Sequence, residues 1–199
     1  MILALNIFLF YIYSEKSDCM KQILGLLFIF SFILNSNAQS YLGRITNQVN
    51  FREGPGKEFN TITSLKTGTQ IFIVTLETEN DFYNIIDINT NKEGYVHKSF
   101  VKIGKQVKVN EEGIFSSNGE TTSYNAELVI FNNTRLPLTL KINSETFSFD
   151  SKEKRTLSIV PGPIDYRASA PGIIPYIGTE NLKSKQGYSW EFYIITTYK

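Results

Sequence analysis

Residues that could carry out acid–base or nucleophilic chemistry are scarce in this 199-residue chain, which has one histidine, His97, and one cysteine, Cys19. A thiol nucleophile needs a neighbouring base, and a zinc site needs several His or Cys ligands. His97 has no evident orienting partner in the sequence, which favours a structural or surface role over a catalytic one. A glycosidase needs only two carboxylates, so this class of enzyme stays an alternative at the level of the sequence. We expect a protein that is not an enzyme and holds no metal or cofactor.

The N-terminal part of the chain has a pattern of charge and hydropathy that differs from the rest. Met20 opens a weakly positive segment, the run from Ile23 to Leu34 is apolar or small, and Ser36 and Ala38 are small residues at positions −3 and −1 of a cut after Ala38. This arrangement is typical of a secretory signal peptide, and the run is too short for a comfortable membrane span of about 20 residues. We therefore expect residues 1–38 to be a signal peptide region that is cleaved after Ala38. A retained anchor helix is the alternative.

Residues 1–19 precede this signal and hold a second apolar stretch. A signal sequence usually begins at its own Met, so we expect translation to start at Met20; the alternative is a two-helix membrane hairpin. Cys19 lies before Met20, so the mature chain would have no cysteine and no disulfide. The sequence predicts a secreted or periplasmic protein that does not contact the membrane after cleavage.

Composition predicts an all-β fold for the mature chain. The chain has 15 Phe and 11 Tyr, and aromatic residues suit pleated, half-buried surfaces. The 20 Lys and Arg residues balance the 19 Asp and Glu residues, so no overall charge attracts nucleic acid or anionic lipid. Nucleic acid is therefore not an expected partner.

A polar stretch separates two segments of the mature chain that are rich in apolar residues. Residues 105–123 are mostly short polar and small residues that cannot build a core, so we predict a linker there. The predicted domains are 41–104 and 124–199, and each is within the size range of a small domain.

The first domain shows alternating strands and sharp turns. Val49-Asn50-Phe51-Arg52 alternates as a half-buried strand does, and Gly54-Pro55-Gly56 turns the chain. The next strand, from Gln70 to Thr75, places Ile71 and Ile73 on one face and Phe72 and Val74 on the other. A further strand at 81–86 is joined by a hairpin at 89–94 to Tyr95-Val96-His97.

Four segments of this domain resemble the bacterial SH3-like (SH3b) family over about 60 residues. The family's Leu-Asn-Val-Arg-x-Gly-Pro-Gly segment is matched by Val49–Gly56, and its Leu-x-x-Gly-Thr segment by Leu65–Thr69. A Trp-Tyr-x-Val strand is matched by Phe82–Ile85, and a Gly-x-x-Gly-Trp-Val end in part by Lys92–Val96. Phe82 and Tyr95 stand where the family often has Trp.

The resemblance implies a small, bent barrel that binds rather than catalyses, and some such domains bind peptidoglycan peptides. A groove of aromatic rings suits an extended peptide because rings give large, rigid contact area. The predicted ligand-binding residues are Tyr83, Tyr95 and His97, with Arg52 as a partner for a carboxylate. In the alternative interpretation, Tyr83 and Tyr95 are half-buried packing residues. Phe51, Phe82 and Ile85 are expected in the core.

The second domain is predicted to be a small antiparallel β-sandwich of six or seven strands, so the whole fold class is an all-β SH3-like barrel followed by a sandwich. Pro137 lacks an N–H, which indicates an edge strand in the segment from Leu136 to Ile142. The apolar loop from Ala170 to Tyr176 has two open interpretations: a contact surface, or a segment whose Ile173 and Ile174 cover the core.

These observations predict an exported, non-catalytic binding protein. Its SH3-like module would recognise cell-wall peptidoglycan peptide or an envelope protein. The alternative is a structural or assembly protein of the envelope that acts only through protein–protein contacts.

Overall fold

The computed structural model describes residues 39–110 and 113–194. The chain from Gln39 to Lys199 forms one compact unit. The described residues contain fifteen strands and one short 3-10 turn, Lys98–Phe100, so the predicted all-β fold class is confirmed. The predicted signal peptide, its cleavage site and the start at Met20 lie outside the described residues.

Seven strands build the N-terminal module. They are β1 (Tyr41–Ile45), β2 (Val49–Arg52), β3 (Thr61–Leu65), β4 (Gln70–Ile73), β5 (Phe82–Asp87), β6 (Lys92–His97) and β7 (Val101–Gln106). They form one antiparallel sheet in the order β3-β2-β6-β5-β4-β1-β7. Because β3 and β7 stand at opposite ends of this order, the SH3-like sheet of the described chain is not a closed barrel.

The N-terminal sheet buries apolar residues on both faces. Its inner face holds a core of Ile45, Phe51, Leu65, Ile71, Ile73, Ile85 and Val96, each at most 4% exposed. A second cluster, which contains Phe72, Ile86 and Ile88, lies on the opposite face, as the alternation of β-strand side chains requires. The predicted division of Ile71 and Ile73 from Phe72 and Val74 is therefore confirmed.

Gly94 allows β6 to cross close to β2. A Cβ atom at this position would lie 2.5 Å from the Arg52 backbone oxygen and 2.7 Å from a ring carbon of Phe51. Backbone cannot move away as a flexible side chain can, so this crossing requires glycine. The close approach keeps the Phe51 ring buried and sets the position of the next residue, Tyr95.

Eight strands build the C-terminal module. They are β8 (Ser116–Glu120), β9 (Ala126–Asn132), β10 (Leu138–Ile142), β11 (Glu145–Phe149), β12 (Lys154–Ile159), β13 (Gly162–Ser169), β14 (Tyr176–Leu182) and β15 (Gln186–Phe192). Two four-stranded sheets, β11-β10-β13-β14 and β12-β9-β15-β8, enclose a core that includes Leu128, Ile130, Leu138 and Leu140. The predicted sandwich is present, with one parallel pair, β9–β15, among its antiparallel pairs.

Two local predictions for this region are wrong. Residues 116–120, placed in a linker, form β8, which pairs with β15. All five residues of β8 are exposed, so backbone pairing with β15 holds the strand and no apolar pattern marks it in the sequence. The edge position inferred from Pro137 is also wrong, because β10 lies between β11 and β13 and begins one residue later, at Leu138. At that place the missing N–H interrupts no ladder.

Asn132 is a fully buried polar residue at the end of β9. Its Nδ2 donates to the backbone oxygens of Leu136 and Asp150, each at 2.8 Å. Its Oδ1 accepts from the Thr134 backbone N–H and from the Thr134 hydroxyl. The Asn132 amide thus fixes the turn that leads into β10. Because both of its polar atoms are hydrogen-bonded, this polar side chain is tolerated in the interior.

Candidate functional site

The β5–β6 hairpin carries three of the four predicted site residues. In its register Phe82 pairs with His97, Tyr83 with Val96, and Asn84 with Tyr95. Val96 is fully buried in the inner core, so its neighbours Tyr95 and His97 lie on the outer face of β6. These two residues are half-buried and face away from the inner core.

Arg52 extends this outer face onto β2, where it lies opposite Tyr95. Its neighbour Phe51 is fully buried in the inner core, so Arg52 faces outward. The Arg52 Nη1 donates to the Phe59 backbone oxygen at 2.8 Å and to the Thr61 hydroxyl at 3.3 Å. These bonds tie the guanidinium to the β3 side of β2 and use part of its five donors.

Tyr83 is separated from the other three residues. It pairs with Val96 and packs, partly buried, against the inner core beside Ile85. The structure therefore brings Arg52, Tyr95 and His97 together on the outer face and places Tyr83 on the inner side of the same strands. The packing interpretation left open in the sequence fits Tyr83, since neighbouring residues on paired strands share a face.

His97 is held by local contacts. Its Nδ1 accepts a hydrogen bond from the Ser99 backbone N–H at 3.3 Å and lies 2.8 Å from the Ser99 hydroxyl oxygen. An N–H can only donate, so the neutral ring carries its proton on Nε2. The ring also meets Phe82 and Phe100 edge to face, with centroids 5.3 and 6.2 Å away. His97 thus caps the 3-10 turn and packs against two aromatic rings.

Two loops border the outer face, and each exposes an apolar side chain. Phe59 is 41% exposed in the loop after β2, and Leu76 is 38% exposed in the loop after β4. The Asn80 Nδ2 donates to the Pro55 backbone oxygen at 3.2 Å and ties the two loops together. Neither Phe59 nor Leu76 is among the predicted site residues; the available signal was an apolar residue inside a turn segment, where burial is not required.

Gly54 fits closely beneath the Phe59 ring. A Cβ atom on Gly54 would lie 2.3 Å from a ring carbon of Phe59. Gly54, Pro55 and Gly56 are all buried, although they form a turn. The glycines of this segment therefore pack the loop tightly in addition to turning it.

An exposed ion pair closes the end of the hairpin nearest His97. The Lys98 Nζ lies 2.8 Å from the Asp81 Oδ1. The hydrogen bond and positive charge of Lys98 lower the pKa of the Asp81 carboxyl, and the same contact raises the pKa of Lys98. The Lys98 backbone N–H also donates to the Asp81 backbone oxygen at 2.8 Å, so side chains and backbone join the same two positions.

A second surface lies on the C-terminal module. A groove of about 870 Å³ is lined mainly by apolar and aromatic residues, including Ile114, Phe131, Ile174, Tyr176, Trp190 and Tyr193. In the loop from Ala170 to Tyr176, Ile173 packs against the core, whereas Ile174 is 45% exposed. The core-covering interpretation is thus confirmed for Ile173 and wrong for Ile174, and the contact-surface interpretation stays a prediction.

Comparison with known proteins assigns the N-terminal module. Residues 47–102 match the family model of the bacterial SH3 domain. This match lies within the predicted domain 41–104 and includes all four predicted site residues, so the recognised resemblance is confirmed. Searches of the curated proteins and of the solved structures found no match. The chain therefore contains an N-terminal bacterial SH3-like domain, a class of module that suggests binding of a protein or peptide and is often related to the cell wall.

Two further observations concern the described residues alone. No helix in residues 39–110 and 113–194 is long and apolar enough to cross a membrane. The same residues bring together no group of three His, Cys, Asp or Glu side chains that could hold a metal ion.

Proposed function

We propose that the protein is exported and binds without catalysis, and that its SH3-like module recognises the peptide of peptidoglycan. The observation that carries this proposal is the outer face of β2 and β6, where Arg52, Tyr95 and His97 share one surface. A guanidinium and a tyrosine ring on the same face can bind one peptide, the first by pairing with its carboxylate and the second by packing against its chain.

The non-catalytic part of the proposal is supported by the contacts of His97. Its Nδ1 is occupied by Ser99, and its ring packs against Phe82 and Phe100. A general base needs a free acceptor directed at the substrate and usually a partner that orients the ring. The arrangement of His97 instead resembles that of a capping and packing residue.

Co-sedimentation of the Gln39–Lys199 protein with protein-free peptidoglycan sacculi tests the proposal. We expect saturable binding that Tyr95→Ala weakens by about tenfold, as loss of an aromatic contact residue commonly does. The matched control is Tyr124→Ala, because Tyr124 is 70% exposed and belongs to the other module. Absence of saturable binding by the parent protein would reject peptidoglycan as the ligand.

The alternative function, a structural or assembly role in the envelope, is favoured by the groove of the C-terminal module. Its exposed Ile174, Tyr176, Tyr193 and Ile194 place four large hydrophobic side chains at one site. Concentrated exposed apolar surface is typical of protein-binding sites. In this case envelope proteins would be retained by the parent protein and by Val160→Asp, an exposed control, but would be lost from Ile174→Asp.

A further inference from the structure

The C-terminal module contacts the tip of the β5–β6 hairpin. Asn91, at this tip, has φ 58°, a left-handed conformation that Asn adopts more readily than most residues. Its Nδ2 donates to the Thr139 hydroxyl at 3.1 Å and to the Ser169 backbone oxygen at 3.4 Å. The turn of the hairpin is therefore bonded to β10 and β13 of the sandwich.

An ion pair joins the same hairpin to β13. Arg167 donates to the Glu93 carboxylate, and their side chains are only 11% and 34% exposed. Partial burial reduces screening by solvent and strengthens such a contact. Glu93 is two residues before Tyr95 on β6, so the two side chains lie on the same face of the strand.

Apolar and backbone contacts complete this interface. Ile177 of β14 packs against the cluster of Phe72, Ile86 and Ile88 on the outer face of the N-terminal sheet. The Gly172 backbone N–H donates to the Ile88 oxygen at 2.7 Å. The end of β5 is thus packed against the sandwich through Ile86, and the turn that follows it is both packed and hydrogen-bonded through Ile88.

We infer that the C-terminal sandwich is a positioning module: it fixes the β5–β6 hairpin so that Tyr95 and His97 are held in the geometry that binds the ligand. The part of this inference that concerns the ligand rests on the proposed function. Holding a hairpin in one conformation removes an ordering cost from binding, because the apparent affinity scales with the fraction of molecules that are competent to bind. Arg167 and Asn91 are positioning residues in this scheme.

Hydrogen–deuterium exchange of the Gln39–Lys199 protein tests the positioning role without a ligand. In Arg167→Ala, we expect amides of β6 to exchange roughly tenfold faster, because the hairpin opens locally more often. Exchange in β9 and β12 should stay unchanged. The matched control is Arg155→Ala, since Arg155 contacts Ser148 and Phe149 within its own module.

A second variant distinguishes the loss of this interface from a general loss of folding. Asn91→Gly removes both side-chain hydrogen bonds, yet glycine accepts the positive φ at this turn. It should also speed exchange in β6. Unchanged β6 exchange in both Arg167→Ala and Asn91→Gly would overturn the inference.

Binding to sacculi then separates this inference from the proposed function. We expect Arg167→Ala to weaken binding by roughly threefold to tenfold, whereas Arg155→Ala leaves it unchanged. Faster β6 exchange with unaltered affinity would overturn the link between the sandwich and the ligand. A further outcome is that the parent protein binds no sacculi while the β6 amides exchange faster in Arg167→Ala and Asn91→Gly. In that outcome the peptidoglycan proposal fails, and the positioning of the hairpin by the sandwich is supported.

Discussion

The rings of Phe82 and His97 meet edge to face across β5 and β6, with centroids 5.3 Å apart and planes at 89°. Phe82 is 6% exposed, so this contact covers one side of a buried ring. The geometry is one of the two that aromatic pairs prefer. It makes the single histidine a part of the packing at the open end of the hairpin.

Replacement of His97 should therefore lower stability. His97→Ala loses the contact with Phe82 and the cap on Ser99, and we expect a loss of about 1–2 kcal/mol in the free energy of unfolding. Urea unfolding followed by circular dichroism measures this loss. His97→Phe should restore the ring contact and His97→Asn the cap, so each should recover part of the stability. Full stability in His97→Ala would contradict the assigned role.

Tyr95 and Tyr83 should respond differently to truncation. Tyr95→Ala is expected to weaken binding to sacculi and leave the module folded, since Tyr95 faces outward. Tyr83→Ala should lower the free energy of unfolding by about 2 kcal/mol, because the ring packs against the inner core. Denaturant unfolding and sedimentation on the same samples measure both effects. Loss of the folded β signal in Tyr95→Ala would show that Tyr95 is a core residue.

Asn132 should contribute strongly to the stability of the sandwich. Asn132→Ala removes a buried amide and leaves the Asp150 backbone oxygen without this donor, so we expect a loss of about 2–4 kcal/mol. Thermal and urea unfolding measure the change. The control is Asn125→Ala, whose Nδ2 bonds to the exposed Ser158 hydroxyl. An equal effect in the two variants would argue against a special role for Asn132.

The Asp81–Lys98 pair predicts a pH dependence. The folded pKa of Asp81 lies below the ordinary value of 3.8, so its stabilising contribution is present above that pH and disappears as the pH falls through the folded pKa. Lys98→Met should raise the pKa of the Asp81 carboxyl, which carboxyl NMR titration reports. Both side chains are exposed, so the difference should shrink in high salt. An unchanged Asp81 pKa in Lys98→Met would refute the pairing.

For Lys98 the sign is opposite. Its folded pKa is raised, so its contribution is complete below the ordinary value of 10.5 and is lost as the pH rises through the folded pKa. Asp81→Asn should therefore lower the pKa of Lys98. Asn tolerates the positive φ of 67° at this position, which limits the change to the charge. A Lys98 pKa that does not fall in Asp81→Asn would show that another group sets it.

Local pattern in the sequence determined four strands of the N-terminal module, β2, β4, β5 and β6, and the face of β4 on which each side chain lies. The alternation of Ile71, Phe72 and Ile73 placed each side chain on its face, because side-chain direction in a strand has a period of two. The Gly54-Pro55-Gly56 turn and the spacing of the four motif segments likewise identified the SH3-like module. These features depend on residues that are neighbours in the chain.

The tertiary structure alone decided which strands pair and which surfaces are covered. Register places Tyr83 opposite Val96 and away from Tyr95, and backbone pairing with β15 makes a strand of the polar residues 116–120. Contacts such as Arg167 with Glu93 join positions 74 residues apart. Backbone hydrogen bonds look the same for nearly every residue type, so the identity of a distant partner leaves little trace in local composition. It is set by the packing of the whole unit.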